Sequence, residues 1–180
     1  MSKSIDEMAE DKISEAKDEV IAAISETMDL YGVTPSVGRL YATLYLNDQM
    51  TLNEMRDELN MSKPSMSTGI RKLQKYGMVK RKYEKGSREH TYIAEKNFFR
   101  SFMSFYWQMW EREATMNLDS IEDAEKDLIE VINDESVSEE LREEARENYN
   151  LMDNSKEYYH WLNRLADSVK TGEIFSYLPK

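Results

Sequence analysis

Within Met50–Glu95, MTLNEMRDELNMSKPSMSTGIRKLQKYGMVKRKYEKGSREHTYIAE, the spacing of apolar residues changes from helical to alternating, and each element is bounded by cap or turn residues. Thr51 is an N-cap type, and Glu54, three residues on, completes a capping box that opens a helix over Leu52–Leu59. Asn60-Met61 makes a turn. Ser62 caps the next helix, Pro64 suits its first turn, and the helix runs to Tyr76 before Gly77 closes it. Val79–Glu84 then alternates Val79 and Tyr83 with Lys80, Lys82 and Glu84; Lys85-Gly86-Ser87-Arg88 turns the chain and Glu89–Ala94 returns as a second strand.

Helix, turn, helix and two-stranded ribbon define a winged helix-turn-helix. The same stretch carries the positive charge. From Met61 to Lys96 there are ten Lys/Arg against three Asp/Glu, a local +7 in a chain of net charge −11, so the remainder carries −18. A cationic patch on an acidic chain suits a surface for phosphates, with the acidic remainder repelling nucleic acid elsewhere.

In the second helix, Met66, Ile70 and Leu73 form the apolar face expected to pack on its predecessor. Ser65, Thr68, Arg71, Lys72 and Lys75 lie opposite, the small hydroxyls and long cations of a helix seated in a major groove. The polar first turn, Ser62-Lys63-Pro64-Ser65, leaves backbone N–H groups for a phosphate. At the wing tip, Lys85, Ser87 and Arg88 add two cations and a hydroxyl around Gly86, with Arg88 placed to enter a minor groove. These ten residues are the candidate contacts to double-stranded DNA. At least one of Lys80 and Lys82 reads as a solvated strand residue, and a solvated basic face used for protein contacts is the competing reading of the whole surface.

The rest of the chain is helical. Ile5–Tyr31 has apolar residues at three-four spacing and ends at Gly32; Thr34-Pro35 opens a second helix over Ser36–Asn47. Asn97–Leu118 is strongly apolar over a wide arc, Ser120–Ile132 reads as a separate short helix, and Ser138–Lys170 carries a heptad seam from Leu141 to Val169. The expected fold is mainly α with a small β-hairpin wing. Residues 1–33 form an N-terminal helix supporting dimerisation, 34–96 the winged helix-turn-helix, and 97–180 a linker helix and a helical dimerisation and effector region.

Several function classes drop out. There is no cysteine, which removes disulfides, thiolate zinc sites and thiol redox sensing, and the two histidines, His90 and His160, have no partner at ligand spacing. No phosphate-loop glycine pattern, nucleophile elbow or paired-carboxylate arrangement points to an enzyme. No cofactor is expected. No apolar run reaches the ~18 residues of a membrane span, and the acidic, amphipathic start lacks an export signal, so a cytoplasmic location is expected. Glu111–Glu157 carries seventeen Asp/Glu against five Lys/Arg, a solvated face or, alternatively, a docking surface for a basic partner.

Tyr31–Glu95 resembles the GbsR-type branch of the MarR-like winged-helix repressors. The resemblance is carried by Pro35-Ser36-Val37-Gly38-Arg39-Leu40-Tyr41, by Ser62-Lys63 opening the recognition helix, and by Gly86–Arg88 followed by Tyr92. The wing reads Gly-Ser-Arg-Glu-His where a Gly-Glu-Arg-Lys-Asp-Tyr type is usual, which bears on operator preference. The resemblance implies a homodimeric repressor of choline or glycine-betaine uptake or synthesis genes in osmotic stress, with choline as effector. A MarR-like repressor of another aromatic or apolar effector, and a protein-interaction module, are the alternatives.

A trimethylammonium group donates no hydrogen bond, so its recognition rests on aromatic faces, each contributing ~0.5–2 kcal/mol. Tyr41 and Tyr45 on one helix, with Phe102, Tyr106, Trp107 and Trp110 on another, are the candidate ligand residues, and Trp107, at the edge of the apolar arc, is the foremost. Core packing is the competing role for all six. Tyr158, Tyr159 and Trp161 form a second aromatic cluster suited to a dimer seam.

Overall fold

The computed structural model describes residues 3–83 and 90–180. Two compact units divide the chain, Met1–Phe102 and Met103–Lys180. In the first unit, α1 (Ile5–Asp29) starts at a capping box in which Ser4 and Glu7 satisfy each other's backbone N–H groups. Its N-terminal half is exposed, and only its last turns are covered, through Ser25 and Met28.

These turns pack on α2 (Pro35–Leu46), in which Val37, Gly38, Leu40, Tyr41, Ala42, Thr43 and Leu44 are all buried. A helix buried over so much of its surface must be covered on several sides, and α2 touches α1, α3, α4 and β3. Gly38 makes the closest approach possible: a Cβ there would stand 2.8 Å from Ser25 Cα. Ser25 Oγ donates to the Pro35 carbonyl at 2.8 Å and closes the same contact.

The helix-turn-helix is α3 (Leu52–Leu59) and α4 (Lys63–Lys75). Thr51 and Glu54 form the expected capping box, and Ser62 caps α4 by accepting from Ser65 N. Asn60 takes the left-handed conformation, φ 51°, that an asparagine tolerates and a tight turn requires. Met55, Met66, Ile70 and Leu73 are buried, so the apolar stripe of α4 faces inward as its spacing predicts.

The sheet has one strand more than the two-stranded ribbon expected from sequence. β1 (Met50–Thr51), β2 (Val79–Lys82) and β3 (Thr91–Ala94) form an antiparallel sheet in the order β1-β3-β2, with Met50 opposite Tyr92. Two residues are too few to show a period of two, which is why β1 left no signal in the sequence.

α5 (Phe98–Asn133) is one continuous helix, not the two separated near Asp119 that the sequence suggested. No Gly or Pro interrupts this stretch, and the Ser120 hydroxyl donates to the Met116 carbonyl at 2.8 Å, so the polar pair is absorbed into the helix. In the second unit, α6 (Glu139–Thr171) runs from the Ser138 cap to Gly172, whose φ of 81° ends it in the left-handed region. The residues after Gly172 form a short α7 (Ile174–Tyr177).

Glu111 pairs with Lys170 at 2.9 Å and Glu125 with Lys156 at 2.8 Å. The partner on α6 falls from Lys170 to Lys156 as the residue on α5 rises from Glu111 to Glu125, as antiparallel neighbours require, and α5 and α6 form a hairpin. Phe105, Ala114, Ala145, Leu162, Ala166 and Val169 are its buried apolar residues. The buried part of the α6 seam is thus used within the chain. Leu151, Tyr158 and Trp161 remain exposed on another face of the helix.

Candidate nucleic-acid interface and aromatic sites

Burial of Met66, Gly69, Ile70 and Leu73 against the body leaves the opposite side of α4 outward. Ser62, Lys63, Ser65, Thr68, Arg71 and Lys75 are exposed there. Ser62 Oγ also donates to Ser65 Oγ at 2.9 Å, so the two hydroxyls hold each other at the helix start. Arg71 Nε donates to its own helix at the Ser67 carbonyl, 3.3 Å away, a bond that uses one of the five guanidinium N–H groups.

Lys72 behaves differently. It is half-buried, and its ammonium donates to the Gly32 carbonyl oxygen at 3.1 Å, toward the turn after α1. On the sheet, Lys80 pairs with Glu95 at 3.4 Å and Lys82 donates to Gln49 Oε1 at 2.7 Å. The wing-tip candidates Lys85, Ser87 and Arg88 lie outside the described residues.

The exit from the sheet is firmly held. Lys96 donates to the Leu44, Tyr45 and Asn47 carbonyls and so caps the C-terminal end of α2, where the helix dipole favours a cation. Glu95 accepts from Asn97 N at 3.0 Å and from Arg100 at 2.9 Å. These bonds, the backbone one foremost, hold its carboxyl below the usual range.

The six aromatic candidates fall into two groups, one in each unit. In the first, Tyr41 is fully buried, and its hydroxyl donates to Ser101 Oγ at 3.1 Å. Burial pushes this phenol up to about 12. The Tyr41 ring meets Phe102 edge-on at 5.8 Å, and Tyr45 stacks on Phe98 at 4.6 Å. The rings pack on one another in edge and stacked arrangements, with Tyr41 in the core, Tyr45 and Phe102 half-buried and Phe98 exposed.

In the second unit Tyr106 and Trp110 stack at 5.9 Å. Trp107 is half-buried, and its ring face carries the Lys170 ammonium 4.6 Å from the centroid. Lys170 is absent from the candidates read off the sequence. It lies on another helix, and nothing short of the hairpin register would have paired it with Trp107.

Residues 98–176 match the family model for the C-terminal helical hairpin of GbsR family transcriptional regulators. The chain is 53% identical over 167 residues to the HTH-type transcriptional repressor GbsR of Bacillus subtilis (strain 168), covering 93% of each protein. The chain belongs to the GbsR family of transcriptional regulators. Two further relatives from Bacillus subtilis (strain 168) are more distant. The putative HTH-type transcriptional regulator YvaV is 30% identical over 93% of this chain and 95% of its own. The HTH-type transcriptional repressor OpcR is 28% identical over 94% of this chain and 92% of its own. The GbsR family match covers the α5–α6 hairpin, and membership of a regulator family agrees with the absence of an enzyme motif in the sequence. Among the described residues no helix is long and apolar enough to cross a membrane, and no group of three or more His, Asp or Glu is placed to hold a metal ion.

Proposed function

We propose that this chain is a dimeric repressor that reads duplex DNA with α4 and the wing and responds to a small quaternary-ammonium effector such as choline. Genes of choline or glycine-betaine uptake or synthesis are its targets in this reading. The observation that carries the DNA half is the outward face of α4, where Lys63, Ser65, Thr68, Arg71 and Lys75 stand exposed on a helix whose other side is core. Two relatives are named as repressors, which supports the sign of the regulation.

Support for a homodimer comes from apolar surface that a single chain leaves uncovered. On α1, Ile5, Met8, Ile13 and Val20 are exposed; on α6, so are Leu141, Leu151, Tyr158 and Trp161. Large rings exposed at helical spacing are the usual material of a subunit contact.

The effector half rests on Trp107. Its indole face already holds an ammonium, which is the interaction a quaternary ammonium ion requires. Tyr41 is fully buried and belongs to the packing, while Tyr45, Phe102, Tyr106 and Trp110 are half-buried; the Lys96 ammonium lies over the Tyr45 ring at 5.4 Å, farther than Lys170 from Trp107. The test is a mobility-shift titration of upstream fragments from choline-transport and betaine-synthesis genes, with and without choline. A shift that choline relieves supports the reading. A shift indifferent to choline and betaine removes the effector half, and no shift at low salt removes the whole.

A further inference from the structure

Lys170 stands near the end of α6, yet it reaches across to α5. There its Nζ donates to Glu111 Oε1 at 2.9 Å and lies 4.6 Å above the Trp107 ring. Trp107 and Glu111 are one helical turn apart, so the ammonium is held between an indole face and a carboxylate. A π face beside a negative charge is also what a trimethylammonium ion seeks, since it needs no hydrogen-bond acceptor.

We propose that Lys170 is a built-in competitor for the effector, and that a quaternary ammonium ion gains the Trp107 face only by displacing the Lys170 ammonium. This rests on the effector reading given above. The exchange is chemically favourable in direction. A primary ammonium is compact and strongly hydrated, and Lys170, whose side chain is 44% exposed, returns to water on a flexible stem. A quaternary ion has no N–H to hydrate and so keeps more of the attraction of the ring. Competition of this kind raises the effector concentration needed for a response by the inverse of the fraction of open faces. It also couples occupancy to structure, because the displaced lysine gives up a contact joining the end of α6 to α5.

The experiment uses the full chain and choline as probe. Lys170→Met keeps most of the apolar stem and removes the charge. Isothermal titration is expected to show choline binding this variant about 3- to 10-fold more tightly than the wild type. In the wild type, NMR should find the Lys170 Hε protons shifted upfield by the indole ring current, and choline saturation should return them to ordinary lysine positions. This second readout decides the matter even where the variant fails to fold. Equal choline affinity in both proteins, with unmoved Lys170 signals, overturns the displacement and leaves the effector reading standing. Choline binding to Lys170→Met alone supports the occlusion and removes choline as the natural effector. Absence of binding to either, with Lys170 signals unmoved, overturns both.

Discussion

Lys72 Nζ donates to the Gly32 carbonyl oxygen at 3.1 Å, so one cation of the recognition helix ties it to the turn after α1. Arg71, its neighbour, points outward from the same helix. The two should therefore separate in experiment. Arg71→Ala is expected to lower DNA affinity by about 5- to 100-fold, equivalent to ~1–3 kcal/mol, at unchanged melting temperature. Lys72→Ala is expected to lower stability by ~0.5–1 kcal/mol with a smaller effect on DNA. Fluorescence anisotropy and urea titration on both variants measure the two quantities.

Gly38 and Gly69 both sit in helices against the core but should respond differently to alanine. At Gly38 the new Cβ would meet Ser25 Cα at 2.8 Å, backbone that cannot swing aside. At Gly69 the nearest atom is Leu40 Cδ2, at 3.0 Å, the end of a flexible side chain. Gly38→Ala should destabilise by ~1–3 kcal/mol, the usual range for overpacking. For Gly69→Ala, the gain of ~1 kcal/mol in helix propensity should roughly offset the crowding. Urea midpoints decide between them.

Acid should loosen the first unit through Glu95. Its carboxyl is held below the ordinary glutamate value by its hydrogen bonds, first of all that from Asn97 N. A depressed folded-state value means the carboxylate stabilises fully above 4.5, and this contribution fades as pH falls through the lower folded value. Glu95→Gln should flatten that part of the stability-against-pH curve. A variant curve as steep as the wild type below pH 4.5 would contradict the role.

In the hairpin, Glu125 is the one buried charged residue among the described residues, and Lys156 lies 2.8 Å from it. Lys156→Met should lower the melting temperature, because it leaves the Glu125 carboxylate short of its partner in a largely covered site. Adding Glu125→Leu to that variant should restore most of the loss. Thermal melts of the single and double variants give the comparison.

The winged module was legible because its signals are local. Thr51 with Glu54, Ser62 with Pro64, and Gly77 each act within one turn of the chain, and each stands where its chemistry placed it. What escaped depended on distant partners. β1 exists because Met50 and Thr51 meet Tyr92 and Thr91, and two residues carry no period of their own. α5 continues through Asp119 and Ser120 because no Gly or Pro breaks it and the Ser120 hydroxyl turns back to its own helix at Met116 where it could have capped a new one. The aromatic residues showed the same division. Their helical stripe was plain, but which rings pack on one another and which meets a lysine follows from contacts such as Tyr45–Phe98 and Lys170–Trp107.

The most direct measurement is the salt dependence of duplex binding by the wild type and Arg71→Ala, followed by fluorescence anisotropy on an upstream operator fragment. Binding through lysine and arginine contacts to phosphate releases counterions, so log affinity should fall linearly and steeply with log salt. Arg71→Ala should bind more weakly at every salt concentration. Binding that is insensitive to salt, or identical in wild type and variant, would contradict recognition of DNA by α4.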